Sequence, residues 1–323
     1  MLTRRALLAA ASLAGAVAPA AAQTATSFAD FIAGVRRDAQ RAGIAPATLD
    51  RAFANVHANQ RVIELDRHQP EFTLTWEQYR SRIVSDARVA KGRALYGRNR
   101  ALLDRVAVRY GVPAGIVMGI WGLESDYGAA TGGFNVIEAL ATLSWEGRRA
   151  AFFRSELMDA LRILQSGDIT AAQMTGSYAG AMGQTQFMPD SFLKYAVDYS
   201  GTGRRDIWND LGCVFASTAN YLAREGWQAG LPWGEIARLP AGFDPSLAGR
   251  DNRRPLGEWT RLGVARLGGA PVPAATPTAV ILPGGAGSEA FLAYHPNFLA
   301  IRRYNPSDFY CISVGLIGDL VAA

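Results

Sequence analysis

Apolar residues recur every three or four positions along most of the chain before Trp227, which predicts a mainly helical fold. The first such stretch begins at Phe28 and Phe31. A further helix is predicted over 91–110, and Gly111 is placed to end it. These patterns indicate an N-terminal helical region.

One helix, predicted over 112–127, carries the most information. Pro113 suits its first turn, and Gly128 can end it. Its apolar stripe comprises Ile116, Ile120, Leu123 and Tyr127. Further helices are predicted over 136–143, 148–165, 216–225 and 309–321.

The composition changes after Trp227. Residues 228–300 hold most of the prolines and many glycines, and the short apolar runs 279–282 and 290–294 predict strands. The predicted fold class is therefore α+β, mainly α. The predicted units are a signal peptide at 1–22, a helical domain at 23–110, a helical core at 111–227, a small β-containing domain at 228–300 and a C-terminal segment at 301–323 that packs back on the helices.

Composition narrows the class of protein. Of 323 residues, 49% are hydrophobic and 19% are charged, which excludes a wholly disordered chain. The net charge of +5 is carried almost wholly by arginine, since Lys91 and Lys194 are the only lysines. Such an excess suits an anionic polymer, a cell wall or nucleic acid. The sequence has no RNA-binding signature, zinc-finger spacing, HExxH or CxxC, so nucleic acid and zinc both rank low.

The first 22 residues have the pattern of a cleaved export signal. Arg4 and Arg5 precede an alanine-rich run, and Ala20-Ala21-Ala22 fits a cleavage site. The paired arginines also resemble a twin-arginine signal, although ordinary signals contain them too. The segment has no cysteine for a lipid anchor. We expect a soluble periplasmic protein without a membrane anchor.

Two cysteines, Cys213 and Cys311, leave two alternatives open. In an oxidising compartment they could form a disulfide. They could equally be two buried free thiols, because the sequence does not give the distance between them.

Glu124 is the first candidate for a catalytic residue. On a helix it lies about 40° from Ile120 and about 80° from Ile116, so it shares their apolar face. Burial raises the pKa of a carboxyl group, and a protonated carboxyl near neutral pH is what a general acid needs. Asp126, about 200° further round, is expected to point elsewhere. The alternative is a glutamate near a helix end that is hydrogen-bonded or reaches solvent.

Six blocks, in order, resemble the lytic murein transglycosylases of the B type. They are Arg67–Phe72 (RHQPEF), Gly119–Gly128 (GIWGLESDYG), Ala139–Arg149, Gly176–Pro189 (GSYAGAMGQTQFMP), Ala219–Leu222 and Tyr304–Ser307. The resemblance covers about residues 28–320. It implies a lysozyme-like helical catalytic core, with an additional helical region and a small β-containing domain.

The resemblance also implies a reaction on peptidoglycan. The β-1,4 bond between N-acetylmuramic acid and N-acetylglucosamine is cleaved without water, and a 1,6-anhydromuramyl product forms. Glu124 would act as the single general acid and base, while the substrate's acetamido group stabilises the anomeric carbon. Glu138 and Glu146 stay open as a second carboxylate, which a hydrolytic muramidase would need. A non-catalytic glycan-binding module or a scaffold for cell-wall synthesis enzymes, through 228–300, is the alternative from another class.

Other residues take roles from the resemblance. Ser177 would orient the acetamido group, and Arg148 and Arg149 would meet peptide or lactyl carboxylates. The residues implied in glycan binding are Tyr79, Gln186, Phe187, Tyr221, Tyr304 and Tyr310. Their alternatives are a turn serine, a solvated helix N-terminus, core tyrosines and loop packing. The expected partner is the glycan strand, bound by a monomer.

A loop that begins at Asp198 resembles the family's EF-hand-like calcium loop. Asp198 and Ser200 match it, but Thr202 stands where an aspartate is usual. The acid expected near the loop's end is displaced, with Cys213 near that position, although Asp210 could compensate. We therefore expect a metal-free turn and no cofactor, with calcium as the weaker alternative.

Overall fold

The structure is a computed structural model that describes residues 27–67 and 74–323. The predicted signal peptide and most of the Arg67–Phe72 block lie outside the described residues. The helices are α1 (Phe28–Arg41), α2 (Pro46–Phe53), α3 (Gln60–Arg67), α4 (Trp76–Ile83), α5 (Asp86–Tyr110), α6 (Ala114–Ser125), α7 (Val136–Glu146), α8 (Ala150–Ser166), α9 (Pro189–Tyr195), α10 (Leu211–Arg224), α11 (Leu256–Arg261), α12 (Asn297–Tyr304) and α13 (Asp308–Ala322). The strands are β1 (Phe134–Asn135), β2 (Thr175–Gly176), β3 (Gly234–Arg238), β4 (Arg254–Pro255), β5 (Ala265–Arg266), β6 (Pro277–Ile281) and β7 (Ala290–Tyr294). The mainly helical α+β prediction is confirmed.

Helix α6 is shorter than predicted. Pro113 precedes it as the N-cap residue, and the helix ends at Ser125 rather than near Gly128. Asp126 and Tyr127 both adopt positive φ angles, 48° and 57°. The carboxylate of Asp126 is held 2.7 Å from Lys91 Nζ on α5, and its N–H bonds to Trp121 O. These contacts stabilise the left-handed turn that ends the helix.

The burial of α6 also differs from the prediction of a single apolar stripe. Every residue of the helix is buried except Leu123, which is partly exposed. Helix α13 runs antiparallel to it at close range, because a Cβ on Gly119 would lie 2.2 Å from Val314 O and one on Gly115 2.6 Å from Gly318 O. Only glycine permits such backbone contact. This packing brings the first turn of α13 to the carboxyl end of α6.

The β-containing region is a five-stranded antiparallel sheet with the order β4-β6-β7-β3-β5. The predicted strands appear as β6 and β7, in register at Ile281 and Phe291. Strands β4 and β5 have two residues each, too few for an alternating pattern to reveal. The sheet has its own apolar core around Trp259 and Leu292. The predicted domain boundaries stay predictions.

Both cysteines are buried free thiols in the structure. Cys213 Sγ lies 3.8 Å from Arg204 O, and Cys311 Sγ lies 3.8 Å from Asn305 O. In residues 27–67 and 74–323, no single helix is long and apolar enough to cross a membrane; α5 and α6 reach that length only as a pair bent by 110°.

Candidate active site

Glu124 and Tyr310 form a buried pair where α6 and α13 meet. Glu124 is 8% exposed, which confirms its predicted burial. The hydroxyl of Tyr310 donates a hydrogen bond of 2.7 Å to Glu124 Oε1. Burial, and then the charge of Glu124, raise the pKa of Tyr310 well above its usual value. The tyrosine therefore stays protonated and presents a fixed donor to the carboxyl group.

The neighbouring carboxylates have other partners. Asp126 points toward α5, as predicted, where it pairs with Lys91. Glu138 accepts a hydrogen bond of 2.7 Å from Asn59 Nδ2. Glu146 pairs with Arg67 at 2.7 Å, and the hydrogen bond from that arginine is the largest cause that lowers its pKa. Glu138 and Glu146 thus bind donors from the N-terminal helical region.

The loop that follows β2 holds Ser177. Its Oγ accepts hydrogen bonds from the amides of Ala179 (3.3 Å) and Ala181 (3.0 Å), and the residue is buried. Neither bond uses the hydroxyl hydrogen, which is left to donate. A Cβ on Gly132 would lie 2.7 Å from Ser177 N, so the turn after α6 packs directly on this loop.

Gln186 has two unusual features. Its φ is 52°, which is rare for a residue with a side chain. Its Nε2 donates to Thr131 O (3.0 Å) and Gly183 O (2.9 Å), whereas its buried Oε1 has no hydrogen-bond partner. Strained backbone conformations and unpaired buried acceptors are concentrated at functional sites. At Gln186 they favour a ligand that donates a hydrogen bond to Oε1.

Three of the predicted glycan-binding rings form one aromatic cluster. Ring centroids lie 5.6 Å apart for Phe187 and Tyr304, and 4.7 Å apart for Tyr221 and Tyr304. The hydroxyl of Tyr304 donates to Thr185 O, and that of Tyr221 donates to Arg303 O, each at 2.6 Å. All three rings are buried. The cluster therefore ties α10 and α12 to the loop that carries Gln186.

Tyr79 packs against the first turn of α13. It is buried, and its ring packs on Trp76 and on Phe309, the residue before Tyr310. The centroids of Tyr79 and Phe309 are 5.4 Å apart. Helix α4 thus supports the first turn of α13.

Arg148 and Arg149 share a partner that the sequence did not reveal. Asp66 is 2% exposed and lies at the end of α3. Its Oδ2 accepts from Arg148 Nε at 2.9 Å, and its Oδ1 accepts from Arg149 Nη2 at 2.7 Å. Both arginines therefore already pair with a carboxylate of the protein at the start of α8, where the Arg148 side chain is 49% exposed. The only sequence signal for Asp66 is its position directly before the Arg67–Phe72 block.

Gln184 is a second residue that sequence reasoning missed. Its Oε1 accepts from Trp121 Nε1, and its Nε2 donates to Trp208 O, both at 2.8 Å. A Cβ on Gly128 would lie 2.4 Å from the same Oε1. Gln184 thereby fixes the carboxyl end of α6 against the Ser177 loop.

The carboxylates of the loop that begins at Asp198 accept hydrogen bonds from nearby backbone amides. Asp198 accepts from the amides of Thr202 (3.1 Å) and Gly203 (2.7 Å). Asp210 accepts from the amides of Gly212 and Cys213 at the start of α10. No group of three or more histidine, cysteine, aspartate or glutamate side chains in the described part of the chain is placed to hold a metal ion. The carboxylates of Asp198 and Asp210 are thus hydrogen-bonded to backbone amides.

A buried glutamate that receives a hydrogen bond from a tyrosine, on a mainly helical core, is compatible with a lysozyme-like glycan-cleaving site. The chain belongs to the transglycosylase SLT domain family, whose model matches residues 27–319.

Known relatives agree with this assignment. The chain is 33% identical over 260 residues to membrane-bound lytic murein transglycosylase B of Escherichia coli (strain K12), covering 76% of this chain and 67% of the relative. The crystal structure of SltB3 from Pseudomonas aeruginosa in complex with NAG-NAM-pentapeptide is similar, with 47% identity and a TM-score of 0.88, over 92% of this chain and 80% of that one. Soluble lytic transglycosylase SltB1 from the same organism matches with 33% identity and a TM-score of 0.78, over 91% and 98%.

Proposed function

We propose that this protein is a peptidoglycan lytic transglycosylase in which Glu124 is the single general acid and base. The observation that carries the proposal is the buried Glu124–Tyr310 pair, which joins the Gly119–Gly128 block to the helix that follows the Tyr304–Ser307 block. The family assignment and the ligand in the SltB3 structure support the choice of substrate.

In the first step, protonated Glu124 gives its proton to the oxygen between N-acetylmuramic acid and N-acetylglucosamine. The bond between that oxygen and the anomeric carbon breaks, and the muramyl acetamido group stabilises the positive carbon. Tyr310 then donates to the carboxylate that remains. In the second step the carboxylate takes the proton of the muramyl C6 hydroxyl, whose oxygen attacks the anomeric carbon. The product is a 1,6-anhydro sugar, and no water is consumed.

Ser177 and Gln186 suit the acetamido chemistry. The hydroxyl hydrogen of Ser177 is available to orient an acetamido oxygen, because the residue's two bonds use only its oxygen. The unpaired Oε1 of Gln186 suits a sugar hydroxyl or an amide N–H. Both residues belong to the loop that Gln184 fixes against α6.

The contacts of Glu138 and Glu146 favour this reaction over hydrolysis. A muramidase of the ordinary kind needs a second carboxylate near the first. Glu138 accepts a hydrogen bond from Asn59, and Glu146 pairs with Arg67, so each is engaged by the N-terminal region.

We further propose that the protein acts in the periplasm as a monomer, after cleavage of the 1–22 segment. Its partner is the glycan strand, and contact with cell-wall synthesis enzymes through 228–300 is a separate proposal. No metal is required, so treatment with a chelator is expected to leave the rate unchanged.

Mass spectrometry of muropeptides released from purified sacculi tests the reaction. The mature protein is expected to give products one water lighter than reducing muropeptides, and Glu124→Gln is expected to give none. Reducing products would overturn the proposal in favour of a muramidase. Binding of sacculi without any product from the unmodified protein would favour a binding module.

A further inference from the structure

The turn that follows Glu124 has an unusual backbone conformation. Asp126 and Tyr127 have φ angles of 48° and 57°, in the left-handed region that favours glycine. The first glycine after Glu124 is Gly128, yet the amides of Asp126 and Tyr127 already bond to Trp121 O and close the helix before that glycine is reached. Strained conformations of this kind persist only where the surrounding structure holds them.

One face of α5 contacts this turn. Lys91 Nζ donates to Asp126 O at 2.8 Å and to Asp126 Oδ2 at 2.7 Å. Arg88 O accepts a hydrogen bond of 3.2 Å from the hydroxyl of Tyr127, and a Cβ on Gly92 would overlap that hydroxyl. Positions 88, 91 and 92 lie on one side of a helix because they are three and four residues apart. Helix α5 therefore holds both left-handed residues.

Lys91 is the cation that holds Asp126. The other nearby cation, Arg88, has its Nε 3.9 Å from Asp126 Oδ1, which is beyond hydrogen-bond distance. The chain's second lysine, Lys194, pairs with Asp190 on the same helix at 3.0 Å, where its side chain is 59% exposed, against 38% for Lys91. Lys91 therefore fixes the backbone of a turn as well as a side chain, whereas Lys194 joins two side chains on a helix surface.

We infer that Lys91 is a positioning residue for the reaction, which holds Asp126 in the left-handed turn and thereby fixes the last turn of α6 and the carboxyl group of Glu124. It acts through Asp126 and not on the substrate. Glu124 is two residues before Asp126, so a shift of the turn moves its carboxyl group, and a misplacement of about 1 Å can lower a rate about 100-fold. The inference rests on the proposed function, in which Glu124 transfers the proton.

Replacement of the lysine is the first test. Lys91→Met removes the ammonium group and keeps an aliphatic side chain. On soluble glycan strands it is expected to lower kcat about ten-fold and to change KM by less than about two-fold, because proton transfer and not glycan binding is impaired. Lys194→Met is the matched control and is expected to keep the parental kcat. Parental kcat in Lys91→Met, or a change confined to KM, overturns the inference.

A second substitution at Asp126 is expected to rescue the first. In Lys91→Met combined with Asp126→Gly, glycine adopts the φ of 48° without strain, and no unpaired carboxylate remains. The double variant is expected to recover kcat to within about two-fold of the parent. A purely structural role of the ion pair predicts no recovery, because the pair is still absent. Failure of the rescue overturns the inference, since Lys91 would then act by another route.

Single substitutions of Asp126 decide the question if Lys91→Met does not fold. Asp126→Ala removes the ion pair and keeps a Cβ in the left-handed conformation, so it is expected to lower kcat at least about three-fold. Asp126→Gly removes the same ion pair without the strain and is expected to stay close to the parent. Equal kcat of these two variants overturns the inference.

Hydrogen exchange reports on the turn without turnover. The amide of Tyr127 bonds to Trp121 O at 3.2 Å, and the amide of Gly128 bonds to Ser125 Oγ at 3.1 Å. Lys91→Met is expected to speed their exchange at least about ten-fold, and the added Asp126→Gly to restore protection. Unchanged exchange in Lys91→Met overturns the inference.

The form of the product separates this inference from the proposed function. When kcat counts every glycan bond cleaved, the variants can be compared whether the product is an anhydro or a reducing sugar. Absence of anhydro products from the parent overturns the proposed function, whereas equal kcat and equal exchange in Lys91→Met and the parent overturn the role of Lys91.

Discussion

One buried glutamate–tyrosine pair lies in the helical core, and another lies in the sheet. Glu124 and Glu235 are both 8% exposed, and each accepts a hydrogen bond from a buried tyrosine, Tyr310 or Tyr294. Glu235 also pairs with Arg266 and accepts from the amide of Gly268, so its charge is balanced within the sheet.

The difference between the pairs lies in what surrounds them. Glu235 lies on β3 and bonds to Arg266 on β5 and Tyr294 on β7, so it stabilises the sheet. Glu124 lies at the end of α6 beside the Ser177 loop, which keeps a donor hydrogen and an unpaired amide oxygen for a ligand. We therefore expect the same pair of side chains to serve stability in the sheet and chemistry in the helical core.

The largest expected effect is the loss of activity when Glu124, but not Glu235, is substituted. Glu124→Gln is expected to lower the rate of anhydromuropeptide release by about 10²–10⁴-fold, because the amide cannot transfer a proton. Its thermal unfolding is expected to stay close to that of the parent. A variant that retains more than a tenth of the activity would contradict the assignment of Glu124.

The sheet pair is expected to respond through stability instead. Glu235→Gln leaves Arg266 and the Tyr294 hydroxyl without their charged partner, and the loss of a buried ion pair costs about 3–5 kcal/mol. Urea unfolding should show this loss, while kcat per folded molecule stays unchanged. A fall in kcat without a fall in stability would remove the contrast between the pairs.

Substitution of the two tyrosines tests the same difference between the pairs, with a smaller expected effect on kcat. Tyr310→Phe removes the donor to Glu124 and is expected to lower kcat about ten-fold, in line with a hydrogen bond to a charged group. Tyr294→Phe is the matched control and is expected to leave kcat unchanged. Initial rates on sacculi measure both, and equal effects of the two substitutions would argue against a special role for Tyr310.

A separate expected effect is a pH dependence of stability in the sheet region. Burial, and then repulsion by Arg253 and Arg250, lower the pKa of His295 from 6.5 to about 4, while Asp251 and Asp308 act in the opposite sense. Between these values the unfolded chain binds a proton that the folded chain does not, so the contribution is present above pH 6.5 and lost as the pH falls to 4. His295→Gln should flatten the slope of unfolding free energy in this window, measured by urea unfolding at several pH values. An unchanged slope would contradict the shifted pKa.

The helices and the burial of Glu124 could be predicted from sequence, because both depend on local periodicity. The end of α6 could not, since the turn at Asp126 depends on Lys91, 35 residues earlier. Similarly, Tyr310 contacts Glu124 across 186 residues, and only the family resemblance selected it among the tyrosines. Asp66 and Gln184 were missed because each acts through tertiary hydrogen bonds that leave no periodic trace.

The glycine-mediated packing of α13 on α6 has a consequence for which substitutions the protein tolerates. A side chain at Gly115 or Gly119 would push the two helices apart, because its Cβ would meet the backbone oxygens of Gly318 and Val314. Tyr310 lies in the first turn of α13, so such a displacement would also carry its hydroxyl away from Glu124. Two glycines without a functional group of their own therefore set the separation of the Glu124–Tyr310 pair.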